Sequence, residues 1–203
     1  MPHDESRCCA VVTVAFIVVP SPGSRLDIQG ALARLPCRAC STEVILIGDA
    51  ADPTGHLHCA PPRIRASYAM GSTARRANAA VAVSCADLLV FLLPGAVLPP
   101  FTDQYLAEVI GTDRRTWGVL ALRAPPRGLF ARLVQMFKRD GSSGKSSCAT
   151  PVAVFARRDA FEAVGGISGS ASEDVLDVFQ VKLKSLCAPL CLVHCPSGWL
   201  PRD

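Results

Sequence analysis

The run Asp87-Leu88-Leu89-Val90-Phe91-Leu92-Leu93 decides how this chain folds. After one carboxylate it is apolar without interruption, whereas a strand with one wet face would alternate polar and apolar residues. It reads as a central parallel strand covered on both faces, so helices must lie above and below the sheet. Toward the N terminus, 73–84 has helical periodicity, Arg63-Ile64-Arg65 is a short extended piece after a Gly/Pro-rich loop, and Glu43-Val44-Ile45-Leu46-Ile47 is a buried strand. Further back come a helix over 24–35, with Ser24 as N-cap and Asp27 at its third position, and a strand over 10–19 containing Val11-Val12-Thr13-Val14. The sheet core is therefore built from the strands at 10–19, 43–47 and 87–93.

Toward the C terminus, Thr102 caps a helix to about Ile110, Trp117 to Arg123 reads as a strand, and 129–138 as an amphipathic helix. A loop over 141–147 precedes a strand at 152–155, a short helix over 159–164 stopped by Gly165-Gly166, and an amphipathic helix over 173–186. No internal repeat interrupts this alternation, which predicts an α/β fold with a doubly wound, mostly parallel sheet and helices on both faces. Ligands of such sheets bind outside the carboxyl ends of the strands.

The 203 residues are half apolar and 19% charged, a globular composition with enough chain for one domain over 1–203. A net charge of +4 from scattered Arg residues gives no basic stripe, so nucleic acid is not an expected partner. The longest apolar run, 8–20, is too short for a transmembrane segment, and Asp4 and Glu5 spoil the basic region of a signal peptide. The expectation is a cytoplasmic protein whose ten cysteines are reduced and mostly buried. Cys37, Cys40, His56, His58 and Cys59 have zinc-like spacing, but the strand between the two halves holds them about 16 Å apart. Cys187, Cys191 and Cys195 recur every four residues, yet Pro189 and Pro196 break any helix that would align them. Gly141-Ser142-Ser143-Gly144-Lys145-Ser146 lacks the first glycine of a P-loop, where Arg139 stands, and reads as a surface loop.

Three stretches carry a resemblance. Arg75-x-x-Asn78-Ala79, the apolar strand, and Leu98-Pro99-Pro100 form the first; Trp117-Gly118 is the second. The third runs from Val154-Phe155-Ala156-Arg157-Arg158-Asp159 through Gly165-Gly166 to Ser172-Glu173-Asp174-Val175. Together, and in this order, they resemble the family-2 glycosyltransferases of the GT-A fold over nearly the whole chain. The resemblance implies a nucleotide-binding half over 8–100 and an acceptor half over 101–203.

In that family a UDP- or GDP-linked sugar lies across the strand ends, Mg²⁺ or Mn²⁺ on an Asp-x-Asp type motif neutralises its diphosphate, and a carboxylate deprotonates an acceptor hydroxyl. Carried over, Asp174 is the candidate base with Glu173 beside it, Arg75, Asn78 and Gly95 fall at nucleotide-sugar positions, and Asp49 or Asp52, shifted by one residue, substitutes for the Asp-Gly-Gly-Ser type turn that contacts the nucleotide. Read without the family, Glu173 and Asp174 are helix N-terminal carboxylates, Arg75 a solvated cation and Asn78 a buried, hydrogen-bonded amide. The departures from the family are concentrated at the cleft. Gly95 stands where the metal-binding Asp belongs, Pro20-Ser21-Pro22-Gly23-Ser24 replaces a Pro-x-x-Asn-Glu segment, and Thr150-Pro151-Val152 replaces Gly-Asp-Gln. The divalent ion expected of the family thus loses a hard oxygen ligand, and Arg63, Arg65, Arg75 and Arg76 are the cations left to face a diphosphate. The expected function is hexosyl transfer to an acceptor hydroxyl, weakened, altered or absent. The alternatives are a non-catalytic binding or regulatory module with a protein partner, and an unrelated doubly wound domain. A strand of reversed direction after the central parallel group separates the GT-A fold from that last alternative.

Overall fold

The computed structural model describes residues 12–18, 42–48, 63–68, 71–93, 95–112, 116–123, 149–169, 175–195 and 198–202. The elements expected at 24–35, 129–138 and 141–147, and the residues Asp49, Asp52, Glu173 and Asp174, lie outside them.

Among the described residues, eight strands form one sheet: β1 (Val14–Val18), β2 (Thr42–Gly48), β3 (Arg63–Tyr68), β4 (Leu88–Leu92), β5 (Trp117–Arg123), β6 (Ala149–Arg157), β7 (Leu190–Cys195) and β8 (Gly198–Arg202). Their order is β3-β2-β1-β4-β6-β5-β7-β8. Neighbours from β3 to β4 are parallel, β6 is antiparallel to both β4 and β5, β7 is parallel to β5, and β8 returns antiparallel. The chain is thus α/β with a mixed, mostly parallel sheet.

Every residue of β4 is buried, and the strand feeds two separate cores. Leu89 and Phe91 face one, with α1 (Thr73–Val83), α3 (Arg158–Ala163) and α4 (Val175–Lys184). Leu88, Val90 and Leu92 face the other, with Leu106 and Ile110 of α2 (Thr102–Thr112). On the first face α1 presents mainly small residues, Ala74, Ala77, Ala80 and Val81, which allow it to lie close to the sheet. There Phe91, Phe161 and Phe179 pack mutually, with centroids 5.5 to 5.9 Å apart.

Two strands were not expected from the sequence. Pro189 and Pro196 bracket the strand β7, in which Leu190 and Leu192 are buried and Cys191 is exposed; the prolines that exclude a helix delimit an extended segment instead. Strand β8 contains Pro201 and pairs only with β7, an edge position where a missing N–H is tolerated. Inside the sheet, β6 accommodates Pro151 next to a bulge. Leu120 pairs with Ala153 and Ala121 with Pro151, which leaves Val152 as the extra residue.

Polar contacts at the amino-terminal edge of the parallel strands tie the layers together. Thr42 and Glu43, successive residues of β2, point to opposite faces: the Thr42 hydroxyl donates to Asp103 at 2.9 Å on α2, and Glu43 accepts from Ser84 Oγ at 2.9 Å at the end of α1. Arg157 and Arg158 repeat the pattern at the end of β6. Arg158 Nε donates to Ala86 O (2.8 Å) and Nη2 to Ser84 O (3.1 Å) beyond α1, while Arg157 Nη2 donates to Ile110 O in the last turns of α2. Carbonyls left unpaired at helix C termini are natural acceptors for a cation, and the helix dipole adds to the attraction. Since Thr42 and Arg157 both lie on this edge, α2 has both ends tied to it. Its first residue is Thr102, whose hydroxyl donates to Pro99 O at 2.7 Å; the capping position falls to Phe101, whose carbonyl accepts from Tyr105 N. Burial, reinforced by the Glu108 carboxylate, raises the Tyr105 phenol above its ordinary pKa.

The Trp117-Gly118 pair has a packing explanation. Trp117 is fully buried and donates from Nε1 to Cys187 O at 2.9 Å, and a Cβ at Gly118 would collide with the backbone of Leu190 and the ring of Phe155. Gly118→Ala should therefore lower stability by roughly 3 kcal/mol in denaturant unfolding. Arg158→Lys should lose about 2 kcal/mol, because one ammonium cannot replace a planar group bonded to the carbonyls of both Ser84 and Ala86. An Arg158→Lys protein as stable as wild type would remove the capping argument.

Candidate functional site

The carboxyl ends of β1 to β5 are the place where a sheet of this type receives a ligand. Among the described residues, two segments border it: the turn at the exit of β4 around Gly95, and Gly71 with the first turn of α1.

The β4 exit is shaped by glycine. Leu93 N donates to Val152 O at 3.0 Å, on the bulged residue of β6, and Ala96 N donates back to Leu93 O at 3.0 Å. Gly95 has φ +75°, as the third residue of a type II turn requires, and Pro94-Gly95 is the sequence signature of that turn. A Cβ at Gly95 would meet nothing within 4 Å, so the backbone conformation, and not crowding, favours glycine. From Leu93 to Phe101 the sequence has no carboxylate, imidazole or thiol. The first acid beyond it, Asp103, is buried and bonded to Thr42 at the opposite edge of the sheet. This loop does not fit the divalent ion that the family resemblance implies, and no group of three metal-ligating side chains occurs among the described residues. Val97 instead places an exposed apolar side chain on it, at 54% accessibility, while Phe101, two residues before Asp103, has already reached the other edge of the sheet.

Ser72 caps α1 by accepting from Arg75 N at 3.3 Å, and the first turn carries no acidic residue. Arg75 is exposed, and its stem lies over Gly71, where a Cβ would stand 3.1 Å from Arg75 Cδ. The next residue, Arg76, has a buried Nε without a hydrogen-bond partner. Arg63 and Arg65 belong to β3, paired with Glu43 and Ile45 of β2. Asn78, one turn beyond Arg75, is engaged inside the protein: Nδ2 donates to Ile167 O at 2.8 Å and Oδ1 accepts from Ile167 N at 3.0 Å. Of the residues singled out in the sequence, Arg75 and Asn78 thus share one helix, and Gly95 turns the chain out of β4. Asp49 and Asp52 follow the end of β2 in sequence, and Glu173 and Asp174 immediately precede α4.

A second concavity, of about 420 Å³, was not anticipated and opens at the amino-terminal edge among Asp87, Arg157, Arg158, Asp159 and Glu162. Four of these five polar groups serve the scaffold. Asp87 Oδ2 accepts from Thr13 N and Oγ1 at 3.0 and 2.8 Å, Asp159 Oδ1 accepts from Ala160 N at 2.7 Å, and both arginines cap helices. The signal in the sequence was the pair Arg157-Arg158 at the end of a strand, where alternation sends one cation to each face.

The sequence matches no protein-family model, and no curated protein is significantly similar to it.

The turn at Gly95 yields a direct check. Gly95→Ala should cost about 1 kcal/mol and Gly95→Asn distinctly less, since Asn tolerates positive φ better than Ala. Equal losses in thermal unfolding would mean that the left-handed conformation is not what selects glycine there.

Proposed function

We propose that the chain is a GT-A type, family-2 glycosyltransferase-like domain whose sugar transfer is weakened or absent. The observation that carries the reading is the direction of β6. After the parallel group β3-β2-β1-β4, an antiparallel strand intervenes before β5, the mixed arrangement that distinguishes this architecture from a uniformly parallel doubly wound sheet. The segment resembling the family's acceptor side begins on that same strand, at Val154, and runs through the glycine-terminated α3 toward Glu173 and Asp174.

On this reading a UDP- or GDP-linked sugar lies over the carboxyl ends of β1 to β4, with Asp49 or Asp52 at the nucleotide and Arg75 as the available cation. Asp174, with Glu173 beside it, would take the proton from an acceptor hydroxyl as its oxygen attacks the anomeric carbon and the diphosphate departs. A departing diphosphate needs positive charge to stabilise it. The family supplies a metal at the position of Gly95; here a turn without a ligand stands in that place, so the departing diphosphate depends on guanidinium groups, of which Arg75 is the exposed one among the described residues. A cytoplasmic setting accords with the thiols of Cys85 and Cys187, which form no disulfide among the described residues.

The second reading is a binding or regulatory module that retains the fold. The exposed Val97, two residues beyond the turn at Gly95 where the family grips the diphosphate, favours a protein partner over a nucleotide at that place.

The two readings separate on titration of the purified chain with UDP and GDP, with and without Mn²⁺, while thermal stability is followed. A ligand bound only to the native state must raise it. The transferase-like reading expects a shift that needs no metal and disappears in Arg75→Ala. A metal-dependent shift abolished by Asp49→Ala or Asp174→Ala would show that a working ion site exists elsewhere. No shift with either nucleotide would sink the reading and leave the binding module.

A further inference from the structure

Asn78 belongs to the nucleotide-side half, yet both of its bonds go to a single residue of the acceptor-side half. Its amide meets the N–H and the C=O of Ile167 together, the paired exchange that a residue on a neighbouring antiparallel strand would offer. Ile167 is thereby fixed in orientation as well as in place. The preceding turn is built around the same side chain. Gly165 N donates to Glu162 O and Gly166 N to Phe161 O, both at 2.9 Å, the two bonds of a Schellman terminus, with φ +72° at both glycines. A Cβ at Gly166 would stand 2.9 Å from Asn78 Oδ1, so the amide seats against this turn only because the residue is glycine.

The turn is also held from α4. Lys182 Nζ donates to Val164 O at 3.3 Å, and Phe179 packs edge-on against Phe161, the residue that anchors the Schellman bond. The exit of α3 is therefore gripped by α1 on one side and α4 on the other. In sequence it leads through Ile167 to the Glu173-Asp174 pair, directly before Val175 opens α4.

We infer that Asn78 is a positioning residue: from the helix that bears Arg75, it sets the orientation of the α3 exit and, through that turn, the placement of α4, whose start adjoins Glu173 and Asp174. The importance of that pair rests on the proposed transferase-like reading; the clamp itself does not.

Asn78→Asp tests it with almost no change of shape. The carboxylate still accepts from Ile167 N but sets its other oxygen against Ile167 O, whereas the protonated carboxyl again offers one donor and one acceptor. The charged side chain that the described contacts bring to the turn is Lys182. Amide hydrogen exchange is measured on the full chain, variant against wild type, at about pH 7 and about pH 4, on either side of the range in which a carboxyl facing a carbonyl oxygen titrates. At about pH 7 exchange at Ile167 and at the first intrahelical amides of α4, Phe179 and Gln180, should quicken together by roughly tenfold, with β1 and β4 unchanged. At about pH 4 the variant should return toward wild type. Acceleration confined to Ile167, acceleration spread evenly over the sheet, or a defect indifferent to pH would each overturn the inference. Should Asn78→Asp not fold, Gly166→Ala drives a Cβ into the same oxygen, and Ile167, Phe179 and Gln180 must again respond together. No nucleotide enters these measurements, so an absent nucleotide shift would sink the transferase-like reading and leave the clamp standing.

Discussion

Strand β4 has no face to offer to water. All its residues are buried, two feeding the core under α1, α3 and α4 and three the core under α2, so neither layer can form without the other. Burial on both sides obliges β4 to have a neighbour at each edge, and it takes β1 in parallel and β6 in antiparallel orientation. Strand β6 enters between β4 and β5, antiparallel to both. The two exits that matter most for a ligand, from β4 and from α3, inherit their positions from that one strand and its neighbours.

Much of this could be read in the residues. The uninterrupted apolar run of β4, the alanine face of α1 and the paired glycines after α3 each state one structural requirement in one place, and the elements formed where they were expected. What escaped the reading depends on partners distant in sequence. Strand β7 is extended because β5 lies beside it, and the spacing of Cys187, Cys191 and Cys195 directed attention to a helix that two prolines exclude. The cap of α2 moved from Thr102 to Phe101 because the hydroxyl found a carbonyl behind it at Pro99. A single sequence does not announce which of two acceptors a threonine will choose.

The candidate site was legible in outline only. Gly95 could be recognised as a departure from a family pattern, but that its φ suits a type II turn is a fact of the backbone. The loop follows a course that a carboxylate-bearing residue adopts less readily than glycine. Asn78 was read both as a ligand contact and as a hydrogen-bonded amide; its partner, 89 positions away, could not have been named from spacing. Arg75 and Asn78, three residues apart, look equivalent in the sequence and differ in the fold, one exposed and the other joined to Ile167.

The polar framework along the amino-terminal edge has a consequence for how such a protein changes over time. Thr13 with Asp87, Thr42 with Asp103, Glu43 with Ser84, and the two arginines that end β6 fasten the layers at the edge away from the expected ligand. The opposite rim can then drift, lose a charge or acquire an apolar surface while the architecture endures. Substitutions at that rim should therefore cost the body little stability, because the residues that hold the layers together lie at the other edge.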